Sequence, residues 1–500
     1  MTGMIARGVA PALSTLMAAL LLSACATPEF RQPAVETPAA FRESQAPAAA
    51  DVAGIDGARW KKAEPAEAQP RGQWWLAFKD PALTALVEAA GANNANLAVA
   101  AARVKQARAI AGIAAADRAP QVGVGIGAQR ARPSALESGL PQGAPTQPAT
   151  SYTANLTASY EVDLFGRVAA GVWAARSDAA TSEANYRSVL LALQADVAQT
   201  YFRLRAFDAE LDTVAQTVRL REESVKVTQR RFDLGDIGEF DLSRARTELA
   251  TARAEAIGLQ RQRATAEHAL AVLLGKPASH YVAGLSPLLD AAALPGIPAG
   301  LPSSLLERRP DIVAAQRTME AANARIGVAR GAMFPALTIS AAGAGVGGAF
   351  SEVFKWSSRS WVLGLLTSMP IIDGGRNRAN VERSEAVLEE TVGAYRQSVL
   401  AAFAEVEDNL AGLRILSGQT EQIDAALLSA RRSADLAQKL YEAGRSSYLE
   451  LLDAQRNLAA VERTAVQLRG NRAVTTVALI RALGGGWDAP AVPQVALASH

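Results

Sequence analysis

The sequence predicts a mixed α/β membrane protein in which one supersecondary unit is written twice. Each unit runs helix, β-hairpin, long helical hairpin. Three observations predict it. Sliding the chain by 209 residues places Tyr186-Arg187 on Tyr395-Arg396, Gly235 on Gly444, Leu242 on Leu451 and Gly275 on Gly484. The match runs without a gap over about ninety positions, and self-similarity at a fixed offset marks a duplicated architecture. In each half the hydrophobic period switches from 3.6 to 2 and back again. The composition agrees: 49% of the 500 residues are hydrophobic but only 5% are aromatic. Alanine and leucine carry that share, which suits long helices with small residues at their seams.

The elements follow in order. Arg7 is the only charge in the first 24 residues, and an apolar run from Val9 to Leu22 ends in Leu22-Ser23-Ala24-Cys25. A short basic start, an apolar stretch and small residues at the exit make a signal peptide over 1–24. The run is too short to span a membrane stably. Cys25, the only cysteine, falls where a lipobox like that of bacterial lipoproteins would place the lipidated residue. Ala26 stands where an inner-membrane retention signal would carry aspartate, so sorting to the outer membrane is expected. Residues 25–72 are rich in Pro and Ala and read as a lipidated, extended N-terminal segment.

The first repeat is expected over 73–287, a linker over 288–303, the second repeat over 304–487 and a tail over 488–500. Upstream of the long helices the offset becomes 215, where Gly112 meets Gly327 and Pro120 meets Pro335. Residues 82–118 read as one helix ended by Pro120. Val122, Val124 and Ile126 then alternate with glycines, giving a strand over about 121–130. A second strand, about 151–162, alternates Tyr152, Leu156, Tyr160 and Val162 with Thr153, Asn155, Thr157 and Ser159. An alternating run of this length with tyrosines toward its ends fits a tilted transmembrane strand, apolar outside and polar inside. The second half supplies strands over about 336–348 and 360–371.

Val168 to Leu234 holds no proline, and about 67 residues at roughly 1.5 Å each would extend about 100 Å. Nothing globular needs such a helix; coiled-coil packing does. Gly235 breaks it, and a second helix runs from near Phe240 to Leu274. The counterparts are Asn377 to Ala443 and Tyr448 to Leu483, broken at Gly444. Glycine suits the left-handed residue that ends a helix, so each half ends in a tight helical tip. Four strands cannot close a barrel, and an open sheet edge cannot sit in lipid. A membrane-spanning chain of this kind must oligomerise.

Several functions are excluded. The formal charge is +2, from 51 basic and 49 acidic residues, so no field recruits nucleic acid. Three histidines and one cysteine leave little for metal sites, and no cofactor is expected apart from a covalent lipid at Cys25. Gly343, Gly345 and Gly348 spell a dinucleotide fingerprint, but no helix opens after them. No nucleophile, base and orienting group come together, so no enzyme is expected.

Four motifs then carry a resemblance: Tyr160–Arg167 (YEVDLFGR), Pro370–Arg376 (PIIDGGR), Leu305–Ile312 (LLERRPDI) and Trp74–Leu83 (WWLAFKDPAL). Together they resemble the outer membrane factor family, the TolC- and OprM-like efflux channels, and the lipobox points to its NodT-type lipoprotein branch. The resemblance covers Trp74 to Gly485. It implies a homotrimer with one 12-stranded outer-membrane β-barrel, continued by a periplasmic α-helical coiled-coil barrel. It also implies a periplasmic adaptor (membrane fusion protein) and an inner-membrane RND-type pump as partners, in multidrug efflux. A lipid anchor in the outer membrane completes the localisation.

Residue by residue, the stretch Tyr441-Glu442-Ala443-Gly444-Arg445-Ser446 followed by Glu450 and Asp453 resembles the family's periplasmic gate. There, two carboxylates three residues apart line the closed pore, while a tyrosine and an arginine hold neighbouring coils. Glu450 and Asp453 share a helix face at that spacing, and Asp241 is the repeat mate of Glu450. The family's arginine position falls on Ser446 here, with Arg445 one residue earlier. Leu234-Gly235-Asp236 and Ala443-Gly444-Arg445 are the matching tips where adaptor hairpins would dock. A symmetric oligomer would turn the carboxylates into rings favouring cations. The expected function is therefore the outer-membrane channel of a tripartite efflux system. The exit duct of a type I protein-secretion system and a structural coiled-coil lipoprotein are the alternatives.

Overall fold

The computed structural model describes residues 28–33, 35, 37–38, 40–43, 73–286, 294–295 and 308–485. The signal peptide, Cys25, most of segment 25–72, most of linker 288–303 and the tail 488–500 lie outside the described residues. Helices α1 (Pro81–Asn93) and α2 (Ala95–Ala116) precede strands β1 (Gln121–Ala131) and β2 (Ala149–Val162). The long helix α3 (Arg167–Asp233) and α4 (Glu239–Leu273) follow. The second half supplies α5 (Pro310–Gly331), β3 (Ala336–Gly347), β4 (Arg359–Ser368), α6 (Arg376–Glu442) and α7 (Tyr448–Ala482).

The duplication is visible to the residue. Helices α3 and α6 are both 67 residues long and begin and end 209 positions apart; α4 and α7 are both 35 residues long at the same offset. Helices α2 and α5, each of 22 residues, sit at the offset of 215. Helix starts repeat as well. The Asp163 carboxylate accepts from the N–H groups of Val168 and Ala169, and the Asp373 carboxylate from those of Gly375 and Asn377. Both satisfy orphan donors and face the positive end of a helix dipole. Those carboxylates and the left-handed Gly166 and Gly375 explain the two glycine-arginine motifs.

Two boundaries differ from the sequence reading. The helix expected over 82–118 breaks at Asn94, whose backbone is extended. The Asn94 side chain accepts from Leu97 N–H and donates to the Leu273 carbonyl, so it caps α2 while pinning the end of α4. The fourth strand, expected to Ile371, stops at Ser368, which pairs with Ala336, the first residue of β3. Beyond it no strand among the described residues lies alongside to pair with.

The chain folds as two compact units. One holds residues 103–182 and 314–395 with the described N-terminal residues up to 33; the other holds the rest. The first contains one antiparallel sheet in the order β1-β2-β3-β4. Within the second, Trp74, Trp75, Phe78, Tyr201 and Phe202 pack with Leu204, Leu270 and Ile480. Tyr201 donates to Asp80, the N-cap of α1, and its phenol is pushed above the ordinary range by burial and by that carboxylate. Asp208 is buried between Arg205 and Arg263, which also hold the carbonyls of Gly284 and Ala283. Arg309 joins Asp311, Glu405 and the Ala482 carbonyl. These networks tie helix ends and return segments to the bundle.

Candidate functional site

The two helical tips carry most of the residues singled out by the sequence. Gly235 and Gly444 both take positive φ, 80° and 66°. Gly235 and Asp236 donate to Phe232 and Arg231, and Gly444 and Arg445 donate to Tyr441 and Leu440. This is the double-bonded Schellman ending, which satisfies carbonyls the helix leaves open. Leu234, Gly235, Asp236, Ala443, Gly444 and Arg445 are all exposed in the chain.

The gate candidates separate in the structure. Tyr441 receives a hydrogen bond from Arg231 of α3 at 3.0 Å, and the same guanidinium lies 5.6 Å from the ring centre. Within the chain, the arginine that meets Tyr441 is Arg231. Tyr441 also packs against Tyr448, whose hydroxyl lies 3.1 Å from Ser224 Oγ on α3. Tyr448 is 7% exposed and packs with Ala245 and Leu452. Tyrosines thus clip the second hairpin to the first.

Glu450 does double service. Its carboxylate accepts from Ser447 N–H while Ser447 Oγ accepts from Glu450 N–H, a complete capping box at the start of α7. Asp453 is exposed and Asp241 half-buried in the first turn of α4. Asp453 adds to the field at Arg456.

Above the tip, α4 and α7 run in the same direction and are laced at heptad spacing. Arg456 grips both oxygens of Glu248 through its Nε and one Nη, and Arg463 pairs with Glu255 and Glu210. The Arg456 hydrogen bonds hold the Glu248 carboxyl below its usual range, outweighing its burial. Beside them Arg221, 3% exposed, donates to the neutral Gln455 side chain at 2.7 Å, and burial lowers its guanidinium. Arg231, Tyr448, Arg221 and the Glu248–Arg456 pair escaped the sequence reading. Only the Ser-x-x-Glu spacing at 447–450 offered a local signal.

The sheet is the second functional surface. One face carries Val122, Val124, Ile126, Tyr152, Leu156, Tyr160, Ile339, Trp361, Leu363 and Leu365; the other carries Thr153, Asn155, Thr157, Ser159, Thr338, Ser340 and Ser368, together with Val346, Val362 and Leu366, as the register dictates. Trp361 is 83% and Val124 77% exposed. An apolar band of this size on one face, with a mainly polar face opposite, is what a lipid-facing sheet presents. The outer edges of β1 and β4 have no strand partner among the described residues.

A family model for the outer membrane efflux protein matches residues 86–276 and 301–485. The chain belongs to that family. It is an outer-membrane efflux protein and not an enzyme. Among its relatives, the pyoverdine export outer membrane protein OpmQ of Pseudomonas putida is 33% identical over 479 residues, covering 95% of this chain and 98% of that one. The solvent efflux pump outer membrane protein SrpC of Pseudomonas putida is 34% identical, covering 95% and 98%. Among solved structures, the outer-membrane channel OprN is similar at a TM-score of 0.80 and 28% identity, covering 93% of this chain and 99% of that one.

Proposed function

We propose that this chain is the outer-membrane duct of a tripartite, RND-type efflux system, moving small toxic organic compounds out of the cell. The observation that carries the reading is the four-stranded amphipathic sheet whose two edges have no strand partner among the described residues. Such edges are untenable in lipid unless other copies cover them. Three copies of four strands make twelve, enough for one barrel, and the paired hairpins supply a helical tunnel wall. Relatives named for solvent, toluene and antibiotic efflux support a small organic cargo. Transport energy comes from the inner-membrane pump, reached through a periplasmic adaptor that grips the tips at Leu234–Asp236 and Ala443–Arg445. Acylation of Cys25 anchors the chain to outer-membrane lipid. Asp241, Glu450 and Asp453 form acidic rings at the periplasmic entrance, next to the Tyr441 clip; Arg445 adds a cation to that rim.

Single-channel conductance in planar bilayers tests the duct. Wild type should give small, cation-selective currents, and the Asp241→Ala, Glu450→Ala, Asp453→Ala triple variant should lose selectivity. No conductance from folded, oligomeric protein would sink the reading. Conductance with unchanged selectivity would remove the acidic rings and leave the duct. Cys25→Ser should abolish metabolic lipid labelling.

A further inference from the structure

We infer that the end of the sheet farthest from the helices carries a site for a phosphate-bearing lipid, centred on Arg359 with a second contact at Arg130. The inference deepens the duct reading and rests on it, because it takes the sheet to lie in the outer membrane with its helices on the periplasmic side. That placement sets the far end of the sheet in the outer monolayer.

The register puts both arginines on the apolar face. Arg130 follows Val122, Val124 and Ile126 at two-residue steps on β1, and Arg359 precedes Trp361, Leu363 and Leu365 at the same steps on β4. Each stands at the strand end remote from the helices, since β1 leaves α2 and β4 leads to α6. They also stand at one height. Arg130 is directly opposite Thr150, and Thr150 is the repeat mate of Arg359 at the offset of 209. At the other end of the same face the outward positions are Val122, Val162 and Leu337, none of them charged. The strand charge at that end, Glu161, lies on the opposite face and is held by Arg167. Along the strands, one rim of the apolar face is cationic and the other is not.

The cations at the far rim have donors to spare. Arg130 gives one N–H to the Thr150 hydroxyl, and Arg132, just beyond the strand, gives one to the Thr146 hydroxyl, both at 3.2 Å. Arg359 gives one to the Phe354 carbonyl, also at 3.2 Å. None of the three has an ion-pair partner among the described residues, and all three are exposed. A guanidinium carries five N–H donors in a planar fork that takes phosphate oxygens two at a time. The neighbouring Lys355 is already paired with Glu352 and does not join them.

Around Arg359 the surface is built. Its guanidinium lies 5.1 Å from the centre of the Trp356 ring, and Trp361 follows two residues on; both indoles are 83% exposed. Phe350 packs edge-on against Tyr152 and Phe354, with ring centres 6.2 and 5.7 Å apart. The β3–β4 loop is folded back onto the outward face. A Cβ on Gly345, the cross-strand partner of Arg359, would meet the Val353 carbonyl, and one on Gly347 would meet the Glu352 side chain. Val353 is buried, so the loop is seated on the sheet. Aromatic rings beside a cation at the end of an apolar band suit headgroup depth. Acyl chains would run along Trp361, Leu363 and Leu365, with the phosphate on the guanidinium. At least three strand spacings, about 14 Å, separate Arg359 from Arg130. That is too wide for one phosphate, so Arg130 takes a second.

Binding of diphosphorylated lipid A to the full-length protein in neutral detergent tests the site, beside enzymatically dephosphorylated lipid A and inorganic phosphate. The phosphorylated lipid should bind about tenfold more tightly than the dephosphorylated one, or better, and millimolar inorganic phosphate should not displace it. Arg359→Gln with Arg130→Gln should weaken binding by about tenfold or more, which is the loss of charge-assisted hydrogen bonds to phosphate. Arg359→Lys keeps the charge but loses the fork and should fall between; it carries the same test should the double variant not fold. Arg118→Gln, which removes an exposed arginine at the opposite end of the sheet, should leave affinity unchanged. Equal affinity for the two lipids overturns the proposal, as does affinity unchanged in the Arg359 variants. Displacement by inorganic phosphate would make this a free-anion site, and an equal loss in Arg118→Gln would make it unspecific charge attraction; either also overturns it. Conductance separates the two readings: wild type that conducts but does not distinguish the lipids keeps the duct and ends the site, while folded oligomer that does not conduct ends both.

Discussion

At the first tip, Gly235 turns the chain from α3 into α4, and the helix then starts at Gly238 with no side-chain cap. At the second, Gly444 makes the same turn, but α7 starts behind Ser447 with a complete capping box. Three positions on, the repeat mates are Asp241 and Glu450; one position on, they are Glu239 and Tyr448. Glu239 is exposed, whereas Tyr448 is buried against Ala245 and Leu452 and clipped to Ser224. Leu234 and Phe240 of the first tip stand 78% and 74% exposed. One backbone has thus been kept twice while its side chains took on two tasks. The second tip holds the hairpins together, and the first presents an open apolar surface. A gate needs one element that is held and can be released, and a docking site needs one that is free.

Mutation should break this contrast most strongly at Tyr448. Tyr448→Ala removes a buried aromatic and should destabilise the second tip by about 3–5 kcal/mol; Glu239→Ala, its mate, should stay within about 0.5 kcal/mol. Amide hydrogen exchange across 441–456 against 232–247 reads both, and equal effects at the two tips would remove the distinction. Ser447→Ala comes next. Loss of the cap should cost about 1 kcal/mol, seen as faster exchange confined to the first turn of α7.

The long helices were legible because a duplicated, proline-free sequence states its length twice, and both glycine turns fell where a left-handed residue was needed. The sheet faces were legible from alternation alone. What could not be read was tertiary. Arg231 reaches Tyr441 across 210 positions, and its own repeat mate is Leu440, so the duplication that revealed the helices hid this contact. Asn94 is an ordinary helix residue until its side chain finds the Leu273 carbonyl. The extra residues to Ile371 alternate as a strand should, but a strand needs a neighbour. Glu450 carried a local signal, since the Ser-x-x-Glu spacing at 447–450 spells the capping box that the structure shows.

Above the tips, the contrast can be sharpened with pH. Glu248 is held below its ordinary range by Arg456, so its contribution to stability is present above the unfolded carboxylate value. It is lost as pH falls through the lower folded value. Arg456 is half-exposed, so solvent screening keeps the effect modest. Thermal unfolding measured near pH 7 and near pH 3 should show a loss on acidification that Glu248→Gln reduces. An unchanged acid slope in that variant would mean that the pair does not couple α4 to α7.

The smallest effect tests whether the two tips differ only in their side chains. Gly238 has an extended backbone with φ −80°, which any residue adopts, and a Cβ there meets nothing within 4 Å. Gly238→Ser would place a hydroxyl three residues before Asp241, rebuilding at the first tip the arrangement that Ser447 and Glu450 make at the second. Glycine is already a tolerable N-cap, so the gain should be only a few tenths of a kcal/mol, read as slower exchange in the first turn of α4. Because Leu234 and Phe240 stay where they are, the apolar surface offered to an adaptor should be unchanged. A variant that gains the cap and still assembles with its adaptor would show that the first tip docks through those side chains rather than through a frayed helix end. A variant that gains the cap and loses the adaptor would show that looseness at Gly238 is part of the recognition.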